Sequence, residues 1–241
     1  MTELRLRRSA RAAVAALCLV GFARSAGLAK TDVAYHYLDA SEIDLVDLLP
    51  PPPDSGTAAA RKDEKKVACV VGERTPVELG NALEQSKRSV FFFAPSVGTG
   101  FTPERLPVLS AFFARVESDV KKLVDGAKLH WQRPRPPYAR VKDDSYPSGH
   151  AAFAASAAII LSEMMPEKRN VIFPQARLFA ENRIILGVHY PSDISAGWIT
   201  GTLAVAAMMR DKQYQSDFAT AKAELRRQLA EADLGASIGA R

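Results

Sequence analysis

Two apolar runs dominate this sequence of 241 residues: Ala151–Ser162 and Ile194–Met209, the second 16 residues long and neither carrying a charge. A helix that is apolar nearly all round has to be enclosed by other elements or by lipid. Both runs fall short of the roughly 20 residues that a membrane crossing takes. They therefore predict central helices of a bundle, around which the rest of the chain must be arranged. Period-two alternation of the kind a strand needs is scarce, so the expected fold is all-α, a single-domain helical bundle.

The surrounding helices follow from periodicity and punctuation. One spans about Thr57 to Leu83 with an interruption around Gly72–Pro76, and Pro103–Gly126 reads as another, with proline at its start and glycine near its end. Pro174–Leu186 should be closed by Gly187, Pro191–Arg210 contains the second apolar run, and 214–233 is amphipathic and charged. Phe91, Phe92 and Phe93, followed by Pro95, Gly98 and Gly100, read as a loop anchored in the core. Gly126–Ser148 holds Pro134, Pro136, Pro137 and Pro147 and should be irregular. Trp131, Tyr138 and Tyr146 lie in or beside it and are expected to pack, with lining a pocket the alternative.

The charge balance is 32 Lys and Arg against 27 Asp and Glu, a net +5 that could signal nucleic acid or an anionic surface. Its location removes that reading. Arg5, Arg7, Arg8 and Arg11 precede an apolar stretch, Ala12–Ala23, and Gly27-Leu28-Ala29 offers small residues for cleavage, the pattern of a secretory signal peptide over 1–29. Without it the chain is nearly neutral, no nucleic-acid footprint remains, and the destination is the periplasm. The expected organisation is a signal peptide (1–29), a Pro-rich arm (30–56) closing in Pro50–Pro53, and a helical domain (57–241). Cleavage also removes Cys18, leaving Cys69, read as a small buried hydrophobe, with no disulfide partner.

The chemistry-bearing residues cluster in three blocks. Lys128 and Arg135 border the proline-rich loop; Pro147-Ser148-Gly149-His150 opens the first apolar helix; Arg183, His189 and Asp193 bracket the start of the second. Arginine forks and a lysine suit phosphate oxygens, and the N–H groups of Ser148 and Gly149 at a helix start face any bound anion. Asp193, four residues after His189, can take the Nδ1 proton and leave Nε2 free as a nucleophile, with His150 as general acid. Three cations beside His150, His189 and Asp193 would repel a divalent ion, so no metal and no cofactor is expected.

These blocks resemble the phosphatidic-acid-phosphatase type 2 superfamily of acid phosphatases, lipid phosphatases and vanadium haloperoxidases. Lys-x6-Arg-Pro is met by Lys128, Arg135 and Pro136, Pro-Ser-Gly-His by Pro147–His150, and Arg-x5-His-x3-Asp by Arg183, His189 and Asp193. Asn182 stands where the family usually has serine. Leu48–Pro53 and Ser145–His150 further resemble secreted class A non-specific acid phosphatases, with Asp144 and Ala151 departing from that class. The resemblance implies a helical bundle of the acid phosphatase–haloperoxidase type that hydrolyses phosphomonoesters through a phosphohistidine on His189, with possible transfer of the phosphoryl group to alcohols. His150 would protonate the leaving alcohol, Asp193 would orient His189, and Lys128, Arg135, Ser148, Gly149 and Arg183 would bind the phosphoryl oxygens. Glu117 falls where the class has an active-site acid. The alternatives are a lipid or polyprenyl-diphosphate phosphatase, a vanadate-binding haloperoxidase, or a non-catalytic phosphate-binding protein. Expected partners are a small phosphomonoester and, without a stable membrane span, at most other copies of the chain in a homo-oligomer.

Overall fold

The Pro50–Pro53 run belongs to no helix, and a short helix precedes it before the bundle proper begins. A computed structural model describes residues 35–39 and 42–239; the signal peptide expected over 1–29 lies outside them. Helix α1 is Leu45–Leu48, with Asp44 capping it, and α2 is Ala58–Glu73, capped by the Thr57 hydroxyl. Helix α3, Pro76–Glu84, starts with a capping box between Thr75 and Glu78, which marks the interruption expected near Pro76. A 3-10 turn, Val90–Phe93, leads into the short α4, Ala94–Val97. The long helices are α5 (Pro107–Trp131), α6 (Gly149–Met164), α7 (Arg169–Ile185), α8 (Pro191–Met208) and α9 (Lys212–Gly239). No strand occurs among the described residues, so the chain is all-α.

Both apolar runs lie at the centre. Nearly every residue of α6 is buried, and it packs chiefly on α7 and α8. The α6–α8 contact is set by two glycines. A Cβ on Gly197 would sit 2.4 Å from the Ser148 carbonyl oxygen, and one on Gly201 would sit 2.2 Å from that of Ala152. No side chain fits there, so the backbones touch and the N-terminal ends of α6 and α8 are drawn side by side. Phe92 stacks on Phe179 of α7 at 3.9 Å between centroids, and Phe93 is fully buried, as expected of an apolar anchor.

The segment before α2 packs onto the bundle. Tyr37, Leu45 and Leu49 are buried, the Tyr37 hydroxyl donates to Asp217 of α9 at 2.7 Å, and the Tyr146 hydroxyl donates to the Pro50 carbonyl. At the far end, the Glu224 carboxylate of α9 accepts from the N–H groups of Val108 and Leu109, the open donors at the start of α5.

Three local expectations need correction. Helix α5 runs through Gly126 to Trp131 and is closed instead by Gln132 in the left-handed conformation at φ 46°, so Lys128 sits on the last helical turn. Helix α7 begins at Arg169, before Pro174, because a 3-10 turn at Pro166–Lys168 feeds straight into it and Pro174 costs one hydrogen bond near the start. Cys69 is exposed rather than buried. Helix α2 turns Ala60, Asp63 and Val67 inward, and a residue two positions after Val67 falls on the opposite face.

Candidate active site

His189 follows the tight turn that ends α7. Gly187 makes that turn at φ +67°, where a Cβ would meet Tyr138 at 2.7 Å. Two residues after His189 the chain enters α8, whose third residue is Asp193. The Asp193 carboxylate accepts from the Tyr190 N–H at 2.8 Å and lies 3.2 Å from His189 Nδ1. It is therefore the acceptor for an Nδ1 proton, which leaves the Nε2 lone pair outward. Both groups are buried. Burial pushes the His189 pKa down to about 4 against the pull of Asp193, with Arg135 and Lys128 adding to the depression. Burial alone would raise Asp193; the hydrogen bond from His189, the positive charges around it and the Tyr190 N–H outweigh that and hold it below its ordinary value.

Arg135 comes to the other face of the imidazole, with Nη1 3.1 Å from Nε2. The same guanidinium is held by Asp143, at 3.0 Å from Nε and 2.9 Å from Nη2, and Lys128 Nζ also meets that carboxylate at 3.0 Å. The two cations are almost enclosed, their side chains 9% and 13% exposed, whereas Asp143 is 59% exposed and reaches in from the surface. Burial lowers the Lys128 pKa and the charge of Arg135 lowers it further. Burial works to raise Asp143, but Arg135 and Lys128 drive its pKa far below the carboxylate range.

Arg183, in the last turn of α7, is buried with Nε and Nη1 lacking any hydrogen-bond partner. Burial, Arg135 and Arg88 together bring its pKa down to about 10, so it remains a cation. A buried guanidinium with two idle donors is costly unless an anion takes them.

Ser148 caps α6 and is buried; its N–H donates to the Asp193 carbonyl at 3.0 Å, joining the two helix starts. Gly149 is the first residue of α6 and His150 the second. His150 Nε2 lies 2.7 Å from the Ser86 carbonyl, and its ring tilts against Phe179. Burial and Arg183 press its pKa down to about 2, so the imidazole is neutral. Glu117 does not join the His189 cluster; it pairs with Arg88 Nε at 2.6 Å. Thus Lys128, Arg135, His189 and Asp193 form one linked group, and Ser148, Gly149 and His150 stand beside it on α6. The other two histidines lie elsewhere: His36 donates its backbone N–H to Asp119, and His130 is exposed on α5. Tyr146 is core, edge-on to Trp131 at 5.0 Å, while Tyr138 is partly exposed.

Residues 109–217 match the PAP2 superfamily. The match covers a little under half of the chain. It contains all three motif blocks, from Lys128 to Asp193. Relatives include an acid phosphatase of Zymomonas mobilis, 31% identical over 146 residues that cover 55% of this chain and 55% of that one. A non-specific acid phosphatase of Salmonella typhi is 34% identical over 84 residues, covering 35% and 34%. An undecaprenyl-diphosphatase of Sulfolobus acidocaldarius is 32% identical over 99 residues, covering 39% and 48%. The matches thus span about a third to about half of these curated relatives. Among solved structures, a transmembrane PAP2 type phosphatidylglycerolphosphate phosphatase from Bacillus subtilis aligns with TM-score 0.48 and 19% identity, over 64% of this chain and 86% of that one.

The site also draws on residues to which sequence reasoning gave no role, Arg133 being by sequence only one of the cations crowding the proline-rich loop. Arg133 donates to Asp193 and to Ser192 (2.6 Å) through Nη1, and to Asp63 of α2 through Nη2 (2.9 Å); Asp63 in turn accepts from Ser192. This buried network holds the far side of the Asp193 carboxylate. Asp63 carried no signal, being 70 residues from Arg133 in the chain. Asp143 and Arg88 were equally silent, because each is one charge among many until the fold sets it against the site. No helix among the described residues is long and apolar enough to cross a membrane.

Proposed function

We propose that the chain is a phosphatase that hydrolyses phosphate monoesters by way of a phosphohistidine. The observation that carries this reading is a neutral His189, its Nδ1 facing Asp193 and its Nε2 facing Arg135, beside a buried Arg183 with idle donors. His189 Nε2 attacks phosphorus and the ester P–O bond breaks. His150 delivers a proton to the departing oxygen, which leaves as the alcohol. Water then attacks the phosphohistidine while His150 takes a proton from it, and phosphate and free His189 result. An alcohol replacing water gives phosphotransfer. Lys128, Arg135, Arg183 and the N-terminus of α6 at Ser148 and Gly149 balance the charge on the equatorial oxygens.

A general acid must be protonated, and His150 is neutral in the free protein. A phosphate dianion settling among Arg183, Gly149 and His150 supplies the opposite charge that raises an imidazole pKa. Substrate binding is thus what loads the acid with its proton.

We also read residues 1–29 as an export leader and the periplasm as the destination, supported by the Arg-rich start and apolar run of the sequence. The acid phosphatases of Zymomonas and Salmonella support a soluble monoester as substrate. The Sulfolobus undecaprenyl-diphosphatase supports a lipid-linked phosphate as the second reading.

The test is hydrolysis of p-nitrophenyl phosphate by the purified protein, with and without EDTA and orthovanadate, beside His189→Ala. Activity that survives EDTA, is blocked by vanadate and is abolished in the variant is expected. Full activity in His189→Ala removes the nucleophile, and loss on EDTA removes the metal-free mechanism. Turnover of undecaprenyl diphosphate in detergent with none of p-nitrophenyl phosphate selects the second reading.

A further inference from the structure

The cations of the site divide between its two histidines. Arg135 and Lys128 surround His189, with Arg135 in direct contact. The charges of Arg183 and Arg88 act on His150. Arg88 belongs to the short segment between α3 and the turn at Val90, two residues after Ser86, whose carbonyl holds His150 Nε2. Its Nη1 lies 3.2 Å from where a Gly149 Cβ would be, so the guanidinium rests against the first residue of α6. Glu117 of α5 fixes it by the inner nitrogen, Nε. Among the described residues no hydrogen bond takes its two terminal nitrogens. A guanidinium anchored at Nε with its terminal pair uncommitted is set up to receive a second anion.

We propose that Arg88 is a specificity-determining residue that binds an anionic group on the leaving alcohol, close to the ester oxygen that His150 protonates. The inference rests on the phosphatase reading above. It follows from the division of labour: Lys128 and Arg135 lie at the nucleophile and share Asp143, while Arg88 flanks the acid. In the reaction the phosphoryl group passes to His189, the ester bond breaks, and the leaving oxygen takes the proton of His150. The alcohol departs with its own carboxylate or phosphate still ionised, and Arg88 exchanges no proton. The favoured substrates are phosphomonoesters with an anion one or two bonds beyond the ester carbon.

Two esters that differ by one carboxylate test this: O-phospho-L-serine and O-phosphoethanolamine. The protein is expected to prefer phosphoserine by about tenfold in kcat/KM, and Arg88→Gln to erase that preference whatever uniform loss accompanies it. A measurement that needs no variant is competitive inhibition by phosphonoacetate against methylphosphonate, where the carboxylate should lower Ki by about tenfold. Equal use of the two esters, equal Ki values, or a preference that survives Arg88→Gln overturns the assignment of Arg88 alone. A protein inactive on both esters and on p-nitrophenyl phosphate overturns the phosphatase reading as well.

Discussion

Asp143 is the anion that Lys128 and Arg135 hold, and on the proposed mechanism those are cations the phosphoryl group requires. Substrate therefore has to displace a tethered carboxylate. Because Asp143 is mostly exposed, water screens the pair and its hold is modest. Asp143→Asn is expected to lower the Ki for inorganic phosphate about threefold; an unchanged or higher Ki shows that the carboxylate helps substrate instead. His189 sets a second expectation. With its pKa near 4 it keeps Nε2 free down to that pH, so kcat/KM should hold through mild acid and fall below about pH 4. A decline that already sets in near 6.5 speaks against a desolvated nucleophile. At this scale the sequence was informative where residue type and spacing coincide, as for His189 and Asp193. It placed Arg133 among the cations of the proline-rich loop without a role, and it was silent on Asp63, Arg88 and Asp143, whose roles depend on which of many charges the fold places together.

At the scale of elements, the site stands on two helix starts whose separation is fixed by the α6–α8 contact. A methyl group on Gly201 would collide with the Ala152 carbonyl, so Gly201→Ala must part the helices. A loss of about 2 kcal/mol or more is expected in denaturant titration, even after the gain in helix propensity. Gly126→Ala in α5 meets nothing within 4 Å and should stabilise by about 0.5–1 kcal/mol. Equal effects at the two sites contradict the close-contact account. His150, near the N-terminus of α6, carries an element-scale prediction too. His150→Ala should slow an alkyl phosphate far more than p-nitrophenyl phosphate, whose leaving group needs no proton; equal slowing assigns His150 another task. Helix types were readable because the central runs are apolar all round and prolines and glycines punctuate the chain. The ends were misread at Gly126 and Pro174 because α5 is closed further on by Gln132 in the left-handed conformation and α7 is started further back by the turn at Pro166–Lys168.

For the whole molecule, two neutral histidines locked in a cationic site bear on stability. The unfolded chain takes up protons near pH 6.5, the ordinary histidine value, whereas the fold keeps His189 neutral to about 4 and His150 to about 2. Folded pKa values below the unfolded ones mean that the unfolded state binds more protons in that window. Stability therefore falls as pH drops from about 6.5, His189 alone accounting for about 3 kcal/mol by pH 4. Urea unfolding at pH 7, 5.5 and 4 checks this, and a shallower decline is expected for His189→Gln; a flat profile contradicts the burial argument. The all-α architecture was legible from composition and periodicity. The packing of Tyr37, Leu45, Leu49 and Pro50 onto the bundle was not, since it depends on partners such as Tyr146 and Asp217 far along the chain.

The side-chain-free seam at Gly197 and Gly201 works as a gauge block. It sets the gap between the α6 and α8 starts, which carry His150 and Asp193, by the thickness of two peptide backbones. Arg88 and Asp143 stand outside that seam. On the proposed mechanism, variation at those two positions is expected to retune which phosphate is accepted while the spacing of the two helix starts is kept.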